Sequence, residues 1–200
     1  MKYRSRGFTL MELMLVLTIA GVILALAAPT FGEFRRNNRL VAVANDMLGT
    51  TQTARTEAIK RQVPVSVCPS GNPGATAAAC NTTQAFNGWI AFVDANSNCV
   101  RDAGEVIIRV GHTIDSTLTS NSNGNCISFA GTGFRQNIVG RTTASNTVFC
   151  DSRGYEFQTG TTLSAARGID IAAAGRARIT RNKAELTTGP PGTGWGLACP

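Results

Sequence analysis

The stretch that most constrains this chain is RGFTLMELMLVLTIAGVILALAAP, close to its start. Lys2, Arg4 and Arg6 precede Gly7, and between Glu12 and Glu33 no charged residue occurs. A helix of roughly 20 apolar residues is long enough to cross a bilayer. One that is apolar all round must be covered by lipid or by protein. The basic flank stays cytoplasmic by the positive-inside rule, which leaves everything after residue 32 outside. Two ordinary accounts compete. A secretory signal has a short apolar core and a small-residue cleavage site; Ala27 and Ala28 offer such a site, but Pro29 follows and the run is long. A plain anchor fits the length but not Glu12. A carboxylate inside a membrane helix costs about 2.5–3.5 kcal/mol on insertion scales and is normally partnered.

Gly7-Phe8-Thr9-Leu10-Met11-Glu12 resembles the class III signal of type IV pilins and pseudopilins. The resemblance implies that a prepilin peptidase cuts between Gly7 and Phe8 on the cytoplasmic side. Phe8 then becomes an N-methylated terminus, and the apolar segment is retained. Glu12 lies one helical turn from the new ammonium. The resemblance assigns it the amine of a neighbouring subunit, and pairing opposite charges in low dielectric relieves a penalty neither bears well alone. Pro29 also matches the family's proline in the N-terminal helix. The implied fold is α+β, with a long N-terminal transmembrane helix packed against an antiparallel β-rich globular domain. The implied organisation is a leader at 1–7, a transmembrane and assembly segment at 8–32, and a periplasmic domain at 33–200. In that domain an amphipathic helix of about 33–62 precedes a β-rich part, 63–200. Before assembly this is a single-pass inner-membrane protein; afterwards it belongs to a pilus filament or its tip.

The chain of 200 residues leaves one domain's worth of sequence beyond the apolar segment. Cys68, Cys80, Cys99, Cys126, Cys150 and Cys199 all fall in that part. An even set outside the cytoplasm reads as disulfides, though six cysteines allow 15 connectivities. Zinc is the competing account, but no C-x-x-C occurs and His112 is the one histidine. A short Cys68–Cys80 loop and a tail tied by Cys150–Cys199, leaving Cys99–Cys126, is the favoured arrangement; sequence does not fix it.

Leu40, Val43, Ala44, Met47, Leu48, Thr51, Ala54, Ala58 and Ile59 recur at three- and four-residue steps and predict one buried helical stripe, ended by Pro64. Arg35, Arg36 and Arg39 stand outside the membrane, on a solvated face or against headgroups or another subunit. Strands are expected at 63–68, 88–94, 105–110, 126–130, 147–151, 168–173 and 175–180, where β-branched or aromatic runs alternate with turn residues. SGNPGATAAAC and TSNSNGN read as loops by composition.

TARTEAIKR, VPVSVCPS, GWIAFVDANSN and a late GRARI, in that order, resemble the GspH/FimT group of minor pilins and pseudopilins. Some members of that group initiate or tip filaments. FimT-type members are linked to DNA uptake in natural transformation through a C-terminal G-R-x-R motif. Gly175-Arg176-Ala177-Arg178 matches that motif, followed by Arg181 and Lys183, with Glu185 the single acid of the cluster. Alternate residues of a strand share a face about 6–7 Å apart, close to the phosphate spacing of one DNA strand. Arginine grips phosphate oxygens bidentately without reading bases, and glycine permits close backbone approach. The bland alternative is an edge strand that carries positive charge against aggregation. The net charge of +7 falls to +4 once Lys2, Arg4 and Arg6 leave with residues 1–7, so the local cluster matters more than the total.

Asp94, Asn96, Asn98, Val100, Asp102 and Glu105 have the spacing of a calcium loop, but Cys99 occupies the glycine position and strands flank it. An Asn/Asp-rich hairpin connection explains the same residues. No nucleophile elbow, phosphate loop or dinucleotide motif is present, and His112 beside Asp115 lacks a partner serine motif, so no enzyme or cofactor is expected. The expected function is a minor pilin that binds DNA non-specifically, with other pilin subunits, the prepilin peptidase and the membrane as further partners. The alternative is a structural minor pilin or type II secretion pseudopilin that primes assembly without touching DNA. Mass spectrometry of protein taken from membranes should find a methylated Phe8 at the amino terminus; a start at Pro29 would replace the pilin signal with a secretory one.

Overall fold

The helical periodicity becomes one element, α1 (Leu10–Arg61). Its first turn is capped by Thr9, whose Oγ1 accepts the Glu12 amide at 3.2 Å, the Ser/Thr-x-x-Glu arrangement of a capping box. Gln62, left-handed at φ 57°, ends it, with Pro64 two residues on. This computed structural model describes residues 7–111, 113–156, 162–188 and 195–199, and of 26–30 and 188 only the backbone. His112, Lys2, Arg4 and Arg6 lie outside the described residues. The contacts divide the chain into two units, one through Asn38 and one from Arg39 onward.

In the first unit the apolar side chains from Phe8 to Leu24, with Phe31 and Phe34, are exposed, Phe8 to 82%. An apolar surface of this extent marks contact with protein or lipid. Among the described residues no helix is long and apolar enough to cross a membrane. The side chains of 26–30, which continue the apolar run, are outside the description.

The second unit holds two four-stranded antiparallel sheets. The first contains β1 (Val65–Pro69), β2 (Trp89–Val93), β3 (Ile107–Gly111) and β5 (Ile127–Phe129), in the order β3-β2-β1-β5. The second contains β4 (Thr119–Ser122), β6 (Asn146–Cys150), β7 (Leu163–Ile171) and β8 (Ala177–Asn182), in the order β4-β6-β7-β8. A short α2 (Lys183–Thr188) follows.

Strand alternation sorts the side chains into layers. Val65, Val67, Trp89, Ala91, Ile127 and Phe129 from the first sheet meet Phe149, Ile169 and Ile171 from the second in one core with Leu40, Met47, Ala54 and Ala58 of α1. Of the expected stripe, Val43 and Leu48 are half-buried and Ile59 is exposed. Thr50, which the stripe omitted, is fully buried. It donates to Asp46 O at 2.9 Å and accepts the Trp89 indole N–H at 3.0 Å.

The opposite faces of the sheets carry separate covers. Ile90, Phe92 and Cys68 pack with Ala78, Cys99, Cys126 and Ile138. Val148, Cys150 and Ala166 pack with Leu186, Trp195 and Leu197. Gly168 lies beneath Leu186 and Trp195, where a methyl group would overlap both. The bridges are Cys68–Cys80, Cys99–Cys126 and Cys150–Cys199, the favoured arrangement, with Cα–Cα distances of 5.5, 6.2 and 5.8 Å.

Three elements depart from the sequence expectation. TSNS, expected as loop, is β4: it pairs with β6, and Ser122 Oγ donates to Asn146 O at 2.8 Å while Thr147 Oγ1 donates to Ser122 Oγ at 3.2 Å. Pairing in the sheet outweighs a weak strand propensity. β7 begins five residues before the expected 168, in LSAAR, whose small residues carry little strand signal. Its register slips between Leu163 and Gly168. The buried Arg167 folds back there to donate to Ala165 O at 2.6 Å and Ala166 O at 3.2 Å. Burial, then the charges of Arg181 and Arg153, lower its pKa to about 10, which still leaves it charged at neutral pH. Helix α2 is not among the elements the pattern predicts, yet Asn182 caps it, accepting the Ala184 amide at 3.0 Å, with Glu185 at the third position.

Replacing Thr50 with valine keeps the shape but leaves the Trp89 N–H buried and unpaired. Chemical denaturation followed by tryptophan fluorescence should show a loss of about 1–3 kcal/mol; an unchanged midpoint would mean that another group takes up that proton.

Candidate nucleic-acid interface

The Gly-Arg-x-Arg segment closes the hairpin between β7 and β8. Gly175 N donates to Ala172 O at 2.8 Å and Ala172 N to Arg176 O at 3.0 Å, with Gly175 at φ 77°. That is the three-residue hairpin loop whose last position needs a left-handed residue. A side chain at 175 would also collide with the Gly133 carbonyl and crowd Arg55. The close approach that glycine allows is therefore made within the protein, to the turn at Gly133, rather than kept open for a ligand.

The four expected cations are not equivalent. β8 is an edge strand, and Arg176 and Arg178 are both exposed with Ala177 half-buried between them. Arg178 faces Asp170 across the strand pair and holds Asp170 Oδ2 at 3.0 Å and Glu185 Oε2 at 3.1 Å. Burial alone lowers its pKa, but Asp170 and Glu185 outweigh that and raise it. Lys183 pairs with Glu156. Arg181 is half-buried and reaches Ser164 O from Nε and Nη2 at 3.4 Å. Arg176 alone of the four has neither a carboxylate nor a side-chain hydrogen bond among the described residues.

The cation that shares a groove with Arg176 comes from the helix, where sequence reasoning gave it no role. Arg55 donates from Nε to Gly133 O at 2.9 Å and from Nη2 to Ala174 O at 3.1 Å. With Gln52, Thr56, Gly175 and Ala177, Arg55 and Arg176 line a groove of about 470 Å³. The i, i+3, i+4 spacing of Gln52, Arg55 and Thr56 was visible in the sequence; their meeting with a turn some 120 residues away was not.

Arg39, by contrast, serves the fold, pairing with Asp115 at 3.4 Å and donating to Thr117 Oγ1 at 3.1 Å. Arg35 and Arg36 are exposed. In the other unit Gly7 and Phe8 are exposed, and Glu12 sits among Thr9, Met11, Met14, Leu15 and Thr18 at the start of α1. An acid in the first turn also suits the helix dipole.

The calcium-like loop is occupied by its own hydrogen bonds. Buried Asp94 accepts Ser66 Oγ at 2.5 Å and the amides of Asn98 and Cys99 at 3.0 Å. Asp102 Oδ2 accepts the side-chain amides of Asn96 and Asn98 at 2.8 and 3.0 Å. Glu105 accepts the amides of Ala95 and Asp102 at 3.1 and 2.9 Å. Cys99 takes φ 53° although bridged, so the disulfide does not prevent the turn. Among the described residues no group of three or more His, Cys, Asp or Glu side chains is placed to hold a metal ion. The loop is an Asx-bonded connection from β2 to β3.

An N-terminal methylation signal, a helix with an exposed apolar segment, and paired antiparallel sheets over the rest of that helix define a type IV pilin-like protein. The model of the type II transport protein GspH matches residues 43–185, and the chain belongs to that family. The prokaryotic N-terminal methylation motif matches residues 2–28. Over 102 residues the chain is 36% identical to the pilin-like protein PilA1 of Thermus thermophilus, covering 50% of this chain and 55% of that protein. The chain thus spans about half the length of the curated relative it matches. Two crystal forms of the minor pilin FimU of Pseudomonas aeruginosa are similar, with TM-scores of 0.46 and 0.44. They are 20% and 19% identical, covering 74% and 70% of this chain and 92% of FimU.

The Asn96 and then the Asn98 amide hold the Asp102 carboxyl below the usual carboxylate range. A lowered acid stabilises the fold fully above its unfolded value and loses that contribution as pH falls through the folded one. Denaturation midpoints should therefore decline below about pH 4, and Asp102→Asn should flatten that part of the profile; an identical profile in the variant would remove Asp102 from the acid response.

Proposed function

We propose that this protein is an inner-membrane-anchored minor pilin that binds DNA non-specifically during uptake. On this reading the prepilin peptidase cuts between Gly7 and Phe8. The exposed apolar segment from Phe8 enters the membrane and then the filament, and Glu12 meets the Phe8 ammonium of the neighbouring subunit. The globular domain faces the periplasm. The methylation motif and the unburied apolar side chains support the anchored state.

The observation that carries the DNA reading is Arg176, a guanidinium exposed at a hairpin tip with no carboxylate neutralising it among the described residues. Guanidinium binds phosphate through paired donors, and such contacts carry no base information. The ion pairs of Arg178 and Lys183 favour the second reading, an edge strand protected by charge on a purely structural subunit. Under the DNA reading those two cations act as a surrounding field, and Arg176 makes the direct contact.

Full-length protein in neutral detergent should bind duplex oligonucleotides of unrelated sequence with similar affinity, within about 10⁻⁴–10⁻⁶ M. Log affinity should fall with log salt at a slope of about −0.9 for each phosphate engaged. Replacing Arg176 and Arg178 together with glutamine should abolish binding while fluorescence and circular dichroism stay native. No binding by the unmodified chain at low salt would leave the structural subunit as the reading that stands.

A further inference from the structure

The charge pattern separates arginines already neutralised from those held ready. Arg39, Arg61, Arg109, Arg153 and Arg178 each pair with a carboxylate. The groove lined by Gln52, Arg55, Thr56, Gly175, Arg176 and Ala177 has two arginines and, among the described residues, no acid in its lining. Arg55 is half-buried, and its two bonds to the Gly133 and Ala174 carbonyls fix the plane of its guanidinium. Arginine has five N–H donors, so three remain after those two bonds. Carbonyl partners orient the group without cancelling its charge. Thr56 has turned its proton back to Gln52 O at 2.9 Å, which leaves the Gln52 amide as the neutral donor on the helical wall. The space beside Gly175 is filled by the Gly133 carbonyl and Arg55 itself, and the half-buried Ala177 adds only a methyl group to that wall, so no bulky side chain of the hairpin stands between the two arginines. A site whose donors are fixed before the ligand arrives loses less entropy on binding.

We propose that this groove is a phosphate-binding site, in which Arg55 on α1 and Arg176 on the β7–β8 turn together hold one phosphodiester group of the DNA backbone. The assignment of DNA rests on the function proposed above; the phosphate site rests on the groove itself. It moves the anchoring contact from the tail cluster 176–183 to a junction between helix and hairpin. Arg55 thereby becomes a binding residue, while Arg178 and Lys183 stay in their ion pairs.

The test avoids Arg55, whose loss would also release the turns at Gly133 and Ala174. Gln52→Glu places a carboxylate on the exposed wall without removing a structural hydrogen bond made by that side chain. The same change at Gln84, in the exposed loop between β1 and β2, controls for net charge. Full-length variants in neutral detergent are titrated with a duplex oligonucleotide and, separately, with inorganic pyrophosphate. Gln52→Glu should weaken DNA binding about tenfold, the loss of one charge-assisted contact, and make the salt slope shallower by about 0.9. Gln84→Glu should leave both unchanged. Equal DNA affinity in the two variants would overturn the groove while leaving DNA binding by the chain intact. Pyrophosphate binding that Gln52→Glu abolishes, without any DNA binding, would support the phosphate site and sink the DNA reading. Failure of the unmodified chain to bind either ligand would overturn both.

Discussion

The globular unit depends on the buried stripe of α1 from Leu40 to Ala58. Among the described residues no ladder of strands joins its two four-stranded sheets into one. They share a core because Trp89 of one and Phe149 of the other reach the same helix, their rings 6.1 Å apart and tilted by 49°. Two of the residues that line the helix there are threonines, and burying hydroxyls is tolerable only where each finds a partner. Thr51 returns its proton to Met47 O, while Thr50 bonds Asp46 O and receives the indole proton. The helix thus presents a surface narrow enough for both sheets to approach, with one directional bond that fixes the orientation of Trp89.

Around this core, charge is used sparingly and mostly in pairs. Arg109 meets Asp46 at 2.8 Å and Arg39 meets Asp115, each joining the helix to a distant segment of chain. Exposed pairs of this kind contribute at most about 1 kcal/mol each. Each also neutralises one arginine where it stands. Other arginines turn to backbone carbonyls instead, Arg101 to Ala78 O and Arg167 to Ala165 O, and the groove between Gln52 and Arg176 is where two arginines without an ion pair among the described residues meet.

The sequence made the architecture legible where physics is local. Three- and four-residue spacing gave the helix, β-branched runs gave most strands, the Gly7–Glu12 signal marked a pilin-like chain, and the order of the later motifs pointed to the GspH/FimT group. It was silent where tertiary context decides. TSNS is a strand because β6 and a net of hydroxyl bonds hold it, and LSAAR because Arg167 folds back over its slipped register. The candidate site shows the same divide. The motif Gly175–Arg178 was readable, but not that Asp170 and Glu185 occupy Arg178 while Arg176 is left beside Arg55. Those facts depend on residues brought together from helix, hairpin and a turn at Gly133. Asn182 and Glu185 form a helix start that is legible locally, but they lie within the charged run from Arg176 to Glu185, whose composition alone predicts no helix.

All three disulfides lie on the sheet faces that turn away from α1, fastening loops and the C-terminal tail to strands; none joins the helix to anything. The domain is therefore built like a bolted shell gripping an unbolted shaft. When tension runs along the helix, the covalent bonds keep the shell in shape but bear none of the shear at the grip. That falls on the Leu40–Ala58 packing, the Trp89–Thr50 bond and the pairs of Arg39 and Arg109. The resistance of the domain to such a pull is thus set by contacts that re-form once the load is removed, while its permanent bonds hold the covers over the far faces of the two sheets.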